Sequence, residues 1–229
     1  AMKPFSPDAL VFDAHGLIPV IVQDADTAEV LMMGYSNREA LGITLRTGKV
    51  TFFSRKRQTL WTKGEESGSF LILTEMFLDC DGDTVLVRAR PLGPTCHTGE
   101  RTCFHRRFGS SSSADPTFVG RLYGYLTSRK DAPVSESYTA RLIAEGLSRV
   151  AQKVGEEGVE TALAVVSGDR ERIVSEAADL VYHTFVALIA SGVTFTDVIG
   201  ELESRHRASS PKGQRTALPS DPERASRSS

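Results

Sequence analysis

The chain has 229 residues, 40% of them hydrophobic, with 27 basic against 29 acidic side chains and a formal net charge of −2. That length holds one large core or two small ones, and the near-balance of charge removes the basic excess of a dedicated nucleic-acid binder. No apolar run approaches the length that spans a bilayer, V-Y-H-T-F-V-A-L-I-A-S-G being short and interrupted by a histidine, so neither nucleic acid nor membrane is an expected partner.

In chain order, strands come first. L-I-P-V-I-V-Q, V-L-M-M-G-Y, K-V-T-F-F-S, S-F-L-I-L-T-E-M-F-L-D and T-V-L-V-R-A-R are β-branched and aromatic runs between Leu17 and Arg90. Between the second and third, S-N-R-E-A-L-G-I-T-L-R-T-G predicts a helix, with Ser36 and Glu39 spaced as a capping box and Gly48 as its stop. The first domain, residues 1–108, is therefore expected to be β-rich α+β. A serine run follows, and residues 109–116 read as a linker. Residues 117–207 carry helical spacing and are expected to form an all-α bundle. One helix is expected from Tyr125's neighbourhood, Phe118, Leu122, Tyr125 and Leu126 sharing a face. A second runs from Ser137 with a break at Gly155, a third is capped by Asp169, and a last one opens at Thr194 or Thr196. The polar, proline-bearing tail 208–229 predicts disorder.

All three cysteines lie in one acidic stretch, D-C-D-G-D followed by C-H-T-G-E-R-T-C. Thiolates and carboxylates this close in sequence point to metal, and three soft ligands, Cys80, Cys96 and Cys103, suit a zinc ion whose fourth position stays open for water. The plainer alternatives are one disulfide with a spare thiol, or small buried apolar residues. The odd cysteine count and the lack of an apolar signal segment favour reduced thiols in a cytoplasm, or in a plastid where a transit segment was removed. Asp79, Asp81 and Asp83 alternate, so on an extended strand they share one face and can gather a hard cation, with Cys80 on the other; a solvated Asp-Gly turn is the alternative.

In the helical half, Glu157 and Glu160 are three apart, and Glu176 and Asp179 repeat the spacing. Any lone E-x-x-E is ordinarily a solvated helix face. Here the acids are embedded among Val159, Leu163, Ala177, Leu180 and Val181, which points to a box of four carboxylates around magnesium. Magnesium so held handles phosphate oxygens, and the chemistry expected is hydrolysis of a phosphoanhydride. Glu156 is the candidate for a spare proton acceptor, with Arg141 and Lys153 offering positive charge to phosphate or, singly, making surface ion pairs.

The segments F-F-S-R-K-R-Q-T-L-W-T-K-G-E-E-S-G, L-D-C-D-G-D and G-P-T-C-H-T-G-E-R-T-C-F resemble phosphoribosyl-AMP cyclohydrolase. S-Y-T-A-R-L, K-V-G-E-E-G-V-E and E-A-A-D-L-V-Y-H resemble phosphoribosyl-ATP pyrophosphohydrolase, so the whole, from about Leu17 to Arg207, looks like the bifunctional histidine-biosynthesis enzymes. The resemblance implies two steps in reverse of chain order. The helical domain hydrolyses phosphoribosyl-ATP to phosphoribosyl-AMP and pyrophosphate, and the first domain opens the adenine ring of phosphoribosyl-AMP by attack of a zinc-activated water at C6. It assigns Cys80, Cys96 and Cys103 to zinc and Asp79, Asp81 and Asp83 to magnesium, and implies an intertwined homodimer whose zinc ligands come from two subunits. His97 is then a base or orienter at the zinc water, with a fourth-ligand role as the alternative, and Arg55, Arg57, Trp61 and Lys63 bind substrate. Two other readings compete. A deaminase-like zinc hydrolase fused to a housecleaning nucleotide pyrophosphohydrolase lacks its H-x-E and P-C-x-x-C signature here. A zinc-stapled dimerisation module leaves the four embedded acids without a purpose.

Overall fold

The structure is a computed structural model that describes residues 7–109 and 114–209. The serines of the expected linker, residues 110–113, and the tail beyond Ser209 lie outside the described residues. Two compact units meet between Tyr125 and Leu126.

The first unit is β-rich, as its runs of branched residues require. Strands β1 (Ile18–Asp24), β2 (Val30–Ser36), β5 (Leu71–Leu78) and β6 (Val85–Pro91) form one sheet in the order β2-β1-β6-β5, with β1 and β6 parallel and the other pairs antiparallel. Ile18, Val20 and Val22 alternate into the core beside Leu31, Leu71, Val85, Val87 and Ala89. A second, two-stranded ladder pairs β3 (Thr51–Ser54) with β4 (Thr59–Thr62). Strand β4 was not expected from sequence, because T-L-W-T is too short to show alternation and sits between two runs of charged and polar residues. Phe52 on β3 is wholly buried. It fits because Gly34 on β2 has no side chain, a Cβ there falling 2.5 Å from the Phe52 ring.

Helix α1 (Arg38–Thr47) ends at Gly48, as expected, in the left-handed conformation with φ 69°. Its start corrects the expected capping box. Asn37 is the N-cap and accepts from the Ala40 N–H, whereas Ser36 closes β2, is buried, and donates its hydroxyl to the Thr51 carbonyl.

Helix α2 (Phe118–Arg129) begins in the first unit. The second unit continues with α3 (Tyr138–Ala144), α4 (Leu147–Ser167), α5 (Arg170–Ala190) and α6 (Phe195–Ser209). The expected break at Gly155 falls at Gly146 instead, which takes φ 98° and separates α3 from α4, while Gly155 stays within α4. Ser137 caps α3 and Asp169 caps α5, each accepting from the N–H three residues on, and Thr194 exchanges hydrogen bonds with Asp197 at the start of α6. One expectation is overturned: α5 is long and apolar enough to cross a bilayer by length and composition. His183, read as an interruption, does not break the run because the residues on both sides of it, Leu180, Val181 and Phe185 to Ala190, are apolar; the histidine itself is buried, with its ring edge against Tyr138 and Tyr182. The helix packs along α4, where Leu142, Val150 and Val186 form a small core.

Candidate active sites

The first candidate site is a cavity of about 600 Å³ between the β3–β4 hairpin, the loop after β4 and the segment after β6. Arg57, Trp61, Lys63, Cys96, His97 and Cys103 line it. Trp61 stands on the floor of the pair it makes with Phe52, ring centroids 5.0 Å apart and 27° from parallel, so one face of the indole is fixed by the core. Arg55 does not line the cavity; its guanidinium lies 3.8 Å over the Tyr35 ring.

The two cysteines in the cavity are electrostatically unlike. The Thr98 hydroxyl donates to the Cys96 sulfur at 3.1 Å, and this bond, with the Thr98 backbone N–H, holds the thiol below its ordinary pKa. Cys103 goes the other way: desolvation of its sulfur, then the negative charge of Cys96, pushes its thiol up, although the residue as a whole is exposed. The two shifts are opposite in direction, so Cys96 is the more acidic thiol of the pair. Burial pushes the Lys63 ammonium down, against the opposing pull of Cys103 and Cys96, and its Nζ donates to the Ser69 carbonyl at 3.3 Å. His97 Nδ1 lies 3.9 Å from the Cys96 sulfur. Sequence reasoning missed Thr98, two residues after Cys96 in a motif already singled out.

Cys80 does not line this cavity. It sits exposed in the turn between β5 and β6, so the expected strand with aspartates on one face and the cysteine on the other is corrected to a loop. The cause is local: the Asp79 carboxylate accepts from the N–H groups of Gly82 and Thr84 at 3.0 and 3.1 Å and folds the chain back. Desolvation raises the Asp79 pKa, but the Thr84 and Gly82 N–H donors, with side-chain hydrogen bonding to Asp83 and Asp81, outweigh it and lower the value. The turn brings Asp79, Asp81 and Asp83 together with carboxylate oxygens within 4.8 Å of one another, all three exposed. Cys80, Cys96 and Cys103 form no such group among the described residues.

The second candidate site lies between α4 and α5. Glu157, Glu176 and Asp179 bring ligand oxygens within 4.8 Å of one another, and Glu157 is buried. Glu160, expected as the fourth, is exposed and outside the group. Lys153 spends its ammonium on two carboxylates, 2.9 Å from Glu156 and 2.9 Å from Glu157, which pushes its own pKa up and, with Gln152 and Arg149, holds Glu156 below the usual carboxylate range. Arg141 is exposed with its guanidinium 5.5 Å over the Tyr138 ring. His183 was missed. Its position four after Asp179 puts it on the same helical face, where Nδ1 lies 2.9 Å from the Asp179 carbonyl and 3.6 Å from Glu157, and Nε2 lies 3.4 Å from the Tyr138 hydroxyl.

Two family models match the chain: phosphoribosyl-AMP cyclohydrolase over residues 32–105 and phosphoribosyl-ATP pyrophosphohydrolase over 119–206. A histidine biosynthesis bifunctional protein of Campylobacter jejuni is 54% identical over 84% of this chain and 91% of its own length. The Vibrio cholerae protein of the same name is 50% identical over 90% of this chain and 100% of its own. This chain belongs to the bifunctional histidine-biosynthesis family. It is a hydrolase with two activities, the cyclohydrolase and the pyrophosphohydrolase, and each candidate site lies within one of the two matched segments.

Proposed function

We propose that the Cys96–Cys103 cavity is the ring-opening site of the cyclohydrolase and that it takes zinc, with Cys80 supplied by a second copy of the chain. The observation that carries this is the unlike thiol pair facing one cavity: the Thr98 hydroxyl, 3.1 Å from the Cys96 sulfur, lowers that thiol's pKa, while burial and the charge of Cys96 raise that of Cys103. Such a soft donor set suits zinc. When bound, zinc supplies a Lewis acid and a water made acidic near neutral pH. Around it, the chain's own groups bind and orient phosphoribosyl-AMP. Arg57 and Lys63 face the phosphate, Trp61 presents its free ring face to the base, and His97 takes the proton of the water that adds at C6 as the N1–C6 bond opens. The exposed position of Cys80, outside the cavity of its own chain, supports a homodimer in which each zinc site is completed across the interface. The Asp79–Asp83 turn beside it takes magnesium.

In the helical site, Glu157, Glu176 and Asp179 would hold magnesium, and Glu160, one turn along α4, completes the set only through water. When bound, magnesium polarises the phosphoryl oxygens of phosphoribosyl-ATP. A cation beside Glu157 takes over the charge balance that Lys153 provides, which frees that ammonium for a phosphate oxygen, with Arg141 as a second cation. Glu156, kept ionised by its neighbours, receives the proton of the attacking water. The domains are assigned as 1–108 and 117–207 with residues 109–116 joining them, and free thiols fit a cytoplasmic enzyme.

The test feeds phosphoribosyl-ATP and follows pyrophosphate and the ring-opened ribotide separately. Cys96→Ser abolishes ring opening and spares pyrophosphate release, and Glu157→Gln does the reverse when phosphoribosyl-AMP is supplied. Ring opening that survives Cys96→Ser, or an active preparation without zinc, refutes the first site.

A further inference from the structure

Arg101 lies in the segment that separates Cys96 from Cys103, and its side chain reaches back across the fold to the end of β1. Its Nη2 donates to Asp24 at 2.5 Å and its Nε to Glu29 at 2.6 Å. Asp24 is 2% exposed, and its other carboxylate oxygen accepts from the N–H groups of Asp26 and Thr27 at 2.8 and 3.1 Å. A carboxylate buried this far is tolerated only when paired and fully hydrogen-bonded, so Asp24 and Arg101 hold each other in one geometry. The second oxygen of Glu29 takes Arg121 of α2 at 3.5 Å. The loop's two limbs are laced to each other by Thr95 N–H to the Arg101 carbonyl and Cys96 N–H to the Glu100 carbonyl, and its far end is tied to β2 by Cys103 N–H to the Leu31 carbonyl at 2.8 Å.

We infer that Asp24, Glu29 and Arg101 form a clamp that fixes the Cys96 and Cys103 sulfurs relative to one another, and that Arg101 and Asp24 are positioning residues for the ring-opening site. The inference rests on the zinc reading above. The backbone bonds set each limb's local path and the Thr102 hydroxyl donates to the Val30 carbonyl at 2.7 Å, while the Arg101 fork adds a charged anchor to the end of β1, at a carboxylate 77 positions away in sequence. Outer groups that orient metal ligands typically change metal affinity by about 10–100-fold when removed.

The experiment uses the full chain. Zinc affinity is measured by competition with a chromophoric chelator, cobalt-substituted protein is scanned for thiolate-to-metal absorption, and pyrophosphate release serves as the control in the other unit. Arg101→Gln is expected to weaken zinc binding by about 10–100-fold and to lower the ring-opening kcat even at saturating zinc, with pyrophosphate release unchanged. Arg101→Lys, which keeps the charge but not the fork, recovers part of the loss. Asp24→Asn combined with Arg101→Gln is no worse than Arg101→Gln alone, as two halves of one clamp must be. Wild-type zinc affinity and kcat in Arg101→Gln overturn the inference. If that variant fails to fold, Glu29→Gln, which removes one arm of the fork, is read instead: a smaller loss of affinity supports the clamp and no change refutes it. Cys96→Ser separates the two levels, since full zinc retention there removes the zinc reading itself.

Discussion

Gly34→Ala tests how the core sets the ring-opening cavity. A Cβ at position 34 falls 2.5 Å from Cδ1 and 2.7 Å from Cε1 of Phe52. Carbon atoms pack at about 3.5–4.0 Å, so the ring must retreat by roughly 1 Å. Phe52 is wholly buried, and one side of its ring is occupied by Trp61 at 5.0 Å. The displacement therefore passes to the indole that lines the cavity. Overpacking of this kind costs about 1–3 kcal/mol. For a unit of this size that corresponds to a melting-point drop of roughly 4–20 °C. Trp61 is the only tryptophan in the chain, so its fluorescence reports unfolding of this unit alone. Gly34→Ala is expected to lower the fluorescence-detected Tm and raise the KM for phosphoribosyl-AMP, leaving pyrophosphate release untouched. An unchanged Tm with wild-type ring-opening kinetics refutes the argument that this glycine exists to seat Phe52 and, through it, Trp61.

The Thr98 hydroxyl gives a pH-dependent outcome. Because it holds the Cys96 thiol down, Thr98→Val is expected to move the pH midpoint of Cys96 alkylation in metal-free protein upward, so alkylation near neutral pH slows; the retained backbone N–H keeps the shift partial. A midpoint that stays or falls refutes the assignment. Complementation tests the shared zinc site: Cys80→Ser and Cys96→Ser chains, each inactive in ring opening, regain about a quarter of wild-type activity when mixed and allowed to exchange, since half the dimers are mixed and each carries one intact site of two. No recovery in dimers shown to have exchanged places all three ligands on one chain.

The sheet and the helices were legible because their residues repeat. Ile18, Val20 and Val22 announce β1 by alternation, and Asp169 announces the start of α5 by its capping chemistry. What failed did so where one residue has two competing uses. Ser36 fits a capping box by spacing, yet a buried hydroxyl at a strand end is worth more to the Thr51 carbonyl, and Asn37 takes the cap. Asp79, Asp81 and Asp83 alternate like strand residues, but Asp79 can fold the chain around Gly82, and a local side-chain to backbone bond prevails over extension. In the site, residue types that ligate metal stand out by composition. The groups that tune them do not: Thr98, His183 and Arg101 are common residues whose roles exist only through partners brought in by the fold.

The two sites differ in how complete one chain leaves them, and this follows from the fold. In the helical unit, Glu157, Glu176 and Asp179 converge from two helices that pack along each other, and Lys153 supplies positive charge to the buried glutamate. Lys153 on Glu157 and Arg172 on Glu176 offset part of that negative charge within one chain, and on the proposed reading magnesium takes over the charge balance at Glu157. The thiol pair has no comparable internal substitute. Lys63 is close enough to feel both sulfurs, but burial lowers its pKa, and burial with the charge of Cys96 raises that of Cys103. On the proposed reading the missing charge and the missing sulfur arrive together, one from zinc and one from a second copy, so metal uptake and subunit association are linked at the ring-opening site and unlinked at the other. On that reading, dilution, or a chelator selective for zinc over magnesium, lowers ring opening while pyrophosphate release continues.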